Sequence, residues 1–99
     1  MSFTKNVEPL GSPGVARQLS AGAASANTAL TDGVTRVSMR AVGADIRFEI
    51  GSGSQTASAT TSNFIANNER LDFAVPIDPN IAVIRDASTN GTLELTELV

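Results

Sequence analysis

The chain has 99 residues, of which 41% are apolar, and its seven basic and ten acidic side chains leave a formal net charge of −3. That is enough chain for one domain, too apolar to stay disordered, and without the basic stripe of a nucleic-acid binder. The absence of Cys, His, Trp and Tyr excludes disulfides, thiolate metal sites and thiol nucleophiles. It also removes the commonest general base and metal ligand and the Trp or Tyr platforms on which bases and sugars stack.

Residues 1–14 read as an extended arm, because Pro9, Gly11, Pro13 and Gly14 break regular structure. Phe3, Val7 and Leu10 are its isolated apolar residues. Either the segment is a disordered terminus, or these three are anchors for a partner's surface. The first ten residues lack the apolar run of a signal peptide, and no stretch reaches the length of a membrane span. With no disulfide staple, assembly in a reducing cytosol is expected.

Residues 15–99 form the predicted domain. In 15–30 the alanines suggest a helix, but Gly22, Ser25, Asn27 and Thr28 oppose it, and two short strands joined through Ala21-Gly22 are expected. Val37, Met39 and Ala41 then alternate with Arg36, Ser38 and Arg40, and Ile46, Phe48 and Ile50 alternate with Asp45, Arg47 and Glu49. This period of two marks strands with one buried side. The short Val42-Gly43-Ala44 link predicts a hairpin between them.

Gly51-Ser52-Gly53-Ser54 is a loop, without the Lys and the following helix that a phosphate-binding loop needs. Residues 55–61 read as a weak strand of small side chains. Asn67-Asn68 is a turn, followed by Leu71, Phe73 and Val75 alternating with Asp72 and Ala74. After the break from Pro76 to Pro79, the continuous run Ile81-Ala82-Val83-Ile84 predicts a strand covered on both faces. Asn90-Gly91 predicts a second hairpin, leading into the alternation of Leu93 and Leu95 with Glu94 and Thr96.

Seven or eight short antiparallel strands at this spacing predict an all-β fold, a single small β-sandwich, with the jelly roll among the orders such strands adopt. The expected core is Val37, Met39, Ile46, Phe48, Ile50, Leu71, Phe73, Val75, Val83, Leu93 and Leu95. Each large apolar side chain fully buried yields ~1.5–3 kcal/mol, against ~1–2 kcal/mol for each residue's backbone that is fixed. With only four Phe, the isolated domain is expected to be marginal and to gain from a partner or from copies of itself.

Asp86, Ser88, Asn90 and Glu97 fall at ligand positions of an EF-hand loop, with Gly91 at its bend. The hairpin accounts for Asn90-Gly91 without a metal, and the strand holding Leu93 and Leu95 would carry Glu97 away from Asp86, so neither a metal nor a cofactor is expected. Asp72, Glu49 and Glu94 could in principle do acid–base work. They lie on the faces opposite the core, solvated or paired with Arg40, Arg47, Arg70 or Arg85. Ten serines have no base to activate them, and no enzyme activity is expected. Asn90-Gly91-Thr92 matches a glycosylation acceptor, relevant only on a secretory route.

From about Thr35 onward the chain resembles small structural proteins of tailed bacteriophages. The resemblance is carried by TRVSMR at 35–40, ADIRFEIG at 44–51, SNFI at 62–65, ERLDF at 69–73, IAVIR at 81–85 and GTLELTE at 91–97. It covers about two-thirds of the chain, as a cadence of strands and turns. It implies a capsid cement or decoration protein on the outer surface of the virion, made in the bacterial host cytoplasm. Such a protein binds the major capsid protein and braces contacts between capsomers, as a homo-oligomer, a trimer or a dimer. A tail, baseplate or fibre component and a carbohydrate- or calcium-binding adhesion module are the alternatives. Neither nucleic acid nor a membrane is an expected partner.

Overall fold

The computed structural model describes residues 13–98. It contains eight strands: β1 (Pro13–Ala21), β2 (Ala26–Ala29), β3 (Arg36–Val42), β4 (Ile46–Ser52), β5 (Asn63–Ile65), β6 (Arg70–Ala74), β7 (Pro79–Arg85) and β8 (Gly91–Leu98). They form two antiparallel four-stranded sheets, ordered β1-β8-β3-β6 and β2-β7-β4-β5. The pairing is nested: β1 lies on β8, β2 on β7, β3 on β6 and β4 on β5. A long antiparallel ribbon wrapped so that its paired strands fall alternately into two sheets has this order, the strand order of a jelly roll.

The inner faces carry the apolar alternation. Leu19, Ala21, Leu93, Leu95, Val37, Met39 and Ala41 project from the first sheet, and Ile46, Phe48, Ile65, Ile81 and Val83 from the second, with Leu30 and Val34 closing one end. Ile50, Leu71 and Val75 pack against this layer from its margin. Phe73 is 38% exposed, because β6 is the edge strand of its sheet among the described residues. Its ring still meets Phe48 of the opposite sheet at a centroid distance of 5.5 Å.

Nesting overturns both expected hairpins. β3 and β4 lie in different sheets, as do β7 and β8, so the 43–45 and 86–90 links cross the sandwich. Gly43 makes its crossing at φ 92°, a conformation open to Gly. Gly91 is no turn residue. It pairs with Ala21 at the start of β8, and a Cβ there would stand 3.1 Å from the Ala44 Cβ and 3.2 Å from the Val42 oxygen. Two crossing links therefore meet backbone to backbone at Gly91.

Two further readings change. Residues 55–61 form no strand. They belong to the loop from β4 to β5, which reaches back to β2: the Gln55 N–H donates to Asn27 and the Ala57 N–H to Ser25. β7 lies between β4 and β2, so the loop crosses over it, and Ala82 on that row is fully buried. This is the double coverage that the apolar 81–84 run called for. Pro13 and Gly14 open β1 rather than preceding it. A Pro is tolerated as the first residue of an edge strand, and the register shifts between Pro13 and Ala16.

Replacing Gly91 by Ala should lower stability by ~1–3 kcal/mol, because neither neighbouring backbone can give way. Gly22→Ala should stay within ~0.5 kcal/mol, since only the Asn90 side chain comes within 4.0 Å. Urea unfolding followed by far-ultraviolet circular dichroism measures both.

Candidate interaction surface

The links divide the sandwich into two unlike ends. At the first, the four links 22–25, 43–45, 66–69 and 86–90 gather and are laced by polar bonds. The Arg85 N–H donates to the Gly22 carbonyl, the Asp86 N–H to the Asp45 carbonyl and the Asn68 N–H to the Ala41 carbonyl. Side chains close the rest: Asn67 accepts from the Gly43 N–H, Asp45 from the Asn67 N–H, and Asp86 from Arg47 at 2.7 Å. A cleft of about 250 Å³ lined by Asp45, Asn67, Ala87 and Thr89 opens here.

Asp86, Ser88 and Asn90 lie at this end, where Asp86 is held by Arg47 and Asn90 by Arg85. Glu97 lies six strand residues beyond Gly91, about 20 Å away at the opposite end. The four EF-hand-like positions do not converge. Among the described residues no three acidic side chains come together as a metal cluster would require.

At the second end, Glu97 occupies an inward-facing position of β8, two residues after Leu95, and is 1% exposed. Its carboxylate accepts from the Arg17 guanidinium at 3.1 Å and from the Thr31 N–H at 2.8 Å. Burial pushes this carboxyl up. The Thr31 hydrogen bonds and the nearby Arg17 charge outweigh that, and the group sits below its ordinary value. The bonds pin the start of the β2–β3 loop across the end of the core. Alternation in β8 predicts an inward-facing residue at 97, and its partner lies 80 positions away.

The rest of this end sets an apolar strip among exposed Asp32, Thr35 and Asp78. The row Pro13–Leu98–Arg36–Ala74 runs straight across the first sheet. The chain therefore enters the domain at the level where β6 hands over to Val75, Pro76 and Ile77. Ile77 is 88% exposed, and Phe73 is the next large apolar residue along this edge. A cleft of about 170 Å³ lies between the β2–β3 and β6–β7 links, lined by Asp32, Val34, Val75 and Ile77. Phe3, Val7 and Leu10, the anchors expected from the sequence, lie outside the described residues.

Asp72 and Glu94 are exposed and Glu49 is half-buried. Glu94 accepts from Gln18. None of the three forms an ion pair within the described residues, whose two salt bridges are Arg17–Glu97 and Arg47–Asp86. No protein-family model, curated protein or solved structure matches the chain.

The Glu97 contacts carry a pH signature. The folded state holds this carboxyl below its unfolded value of about 4.3, so its contribution is complete above that value and is lost as pH falls through the folded one. Glu97→Gln should cost ~1–3 kcal/mol at pH 7. The gap between the wild type and this variant should narrow progressively as pH falls below the ordinary carboxylate range, as measured by urea midpoints across that range.

Proposed function

We propose that this chain is a non-enzymatic structural protein of a virion, a cement or decoration protein that binds the outer shell and braces contacts between capsid subunits. The observation that carries the reading is the row Pro13–Leu98–Arg36–Ala74. It brings the exit of the N-terminal segment to the same end as exposed Phe73, Pro76 and Ile77 and partly buried Val75. Scattered apolar residues on a surface mean little, but an apolar set at the level where an apolar-dotted arm leaves the opposite edge of the same sheet offers a docking surface with two anchor points. The opposite end, laced by polar bonds, stays in water and keeps the free subunit soluble.

In this reading the sandwich is a rigid spacer. Phe3, Val7 and Leu10 together with Ile77 supply the contact with the major capsid protein. Symmetric copies raise the force needed to open joints between capsomers. Its place is the outer capsid surface, after synthesis in the bacterial host cytoplasm.

Quantitative mass spectrometry of purified particles tests the assignment. A copy number comparable to the capsid subunit, or a simple fraction of it, is expected. A few copies per particle would move the protein to the tail or baseplate, and absence from the particle would end the virion reading. Ile77→Asp and deletion of residues 1–10 should each lower shell occupancy at least about tenfold while leaving the urea midpoint within ~0.5 kcal/mol of the wild type. Unchanged occupancy in both would remove this end as the docking surface.

A further inference from the structure

The free edge of β6 matches a second copy of itself. The Val75 N–H donates to the Thr35 carbonyl, and the Glu69 carbonyl accepts from the Ala41 N–H. With an unbroken register between them, odd-numbered residues of β6 turn their backbone toward β3. Alternation leaves the N–H and C=O groups of Arg70, Asp72 and Ala74 facing outward along the edge. Among the other three edges, β2 is bridged by the 53–62 loop through Asn27, β5 has three residues, and β1 opens on Pro13 with an irregular register before running regularly from Ala16 to Ala21. An unblunted edge is a template for another strand.

The side chains select both the partner and the register. Two β6 strands related by a two-fold axis run antiparallel, and inward-facing residues then oppose inward-facing ones. The fully overlapped register sets Asp72 against its own copy, which like-charge repulsion disfavours. A slip toward Pro76 sets the Arg70 carbonyl against a residue without an N–H. The opposite slip sets Arg70 against Asp72 of the second copy, twice by symmetry, with Leu71 against Leu71.

That register also completes a charge row. Across the first sheet Glu94 pairs with Arg40, and Arg40 with Arg70, so Arg70 stands beside a like charge with no described strand on its other side. An acidic residue on that side extends the row as Glu94, Arg40, Arg70, Asp72. Half-buried Leu71, exposed only because β6 ends the sheet, would be covered in the same step.

We infer that β6 is a homodimer contact, in which two copies join their first sheets edge to edge through reciprocal Arg70–Asp72 pairs. The contact is independent of what the apolar end docks on. Sedimentation velocity of the full chain from about 10 μM to about 1 mM tests it. The wild type should show concentration-dependent dimers. Arg70→Asp and Asp72→Arg, each at an exposed position, should weaken dimerisation about tenfold or more, since each converts two attractive pairs into repulsive ones. The double variant carrying both changes should restore it, with far-ultraviolet circular dichroism confirming the fold throughout. A wild type that stays monomeric to the highest concentration overturns the proposal and leaves the edge to residues 1–12 or to another protein. Association that ignores both single substitutions, or that the double variant does not rescue, overturns it as well.

Discussion

Antiparallel pairing between strands from opposite halves of the chain governs this molecule. Because β1 must lie on β8, β2 on β7 and β3 on β6, successive strands fall into opposite sheets, and every link except β4–β5 has to cross between them. A crossing link has no neighbouring strand to satisfy its backbone, and an unpaired buried peptide group is costly. The chain meets this with Asn and Asp side chains at the crossings and with carbonyls borrowed from other parts of the chain. The apolar layer supplies the cohesion, while the crossings decide which strand meets which.

The same arrangement makes the two ends chemically different. One collects four links, and their mutual hydrogen bonds leave a polar, interlocked surface. The other collects the 30–35, 53–62 and 75–78 links, the entry of β1 and the exit of β8, and there the Gly53 N–H donates to the Asp78 carbonyl and the Ser52 hydroxyl to the Ile77 carbonyl. Glu97 seals part of this end from inside: a carboxylate at a core position, offset by Arg17 and the Thr31 N–H. Pro76 and Ile77 are left outside. A surface that the fold leaves apolar while it seals its surroundings is where a partner would gain most.

Much of the strand content was legible because a half-buried strand imposes a period of two. Val37, Met39, Ile46, Phe48, Val83, Leu93 and Leu95 all face the core as their alternation requires. The continuous apolar run in β7 was legible for the same reason, whereas the loop that covers its outer face alternates small and polar residues at 55–61 as a strand would. Connectivity was hidden. Val42-Gly43-Ala44 and Asn90-Gly91 have the composition of tight turns, and local composition does not distinguish a chain that folds back in its own sheet from one that steps to the facing sheet. What decides is Gly91 meeting Ala44, 47 positions earlier. The Arg17–Glu97 contact at the second end was invisible for the same reason, since its two residues are joined only by the folded topology.

The position of β8 sets an order on folding. The last strand in the chain is not an edge: it sits between β1 and β3 and bridges them. Until it arrives the first sheet is two separated pieces, with β1 unpaired and one side of β3 open. The sandwich cannot be built outward from its N-terminal half as the chain emerges during synthesis. Closure waits for residues 91–98, and contacts between distant parts of the chain make such closure slow. In that interval the inner row of β3 and its free edge stand exposed together, the period when a nascent chain is most open to pairing with the wrong strand.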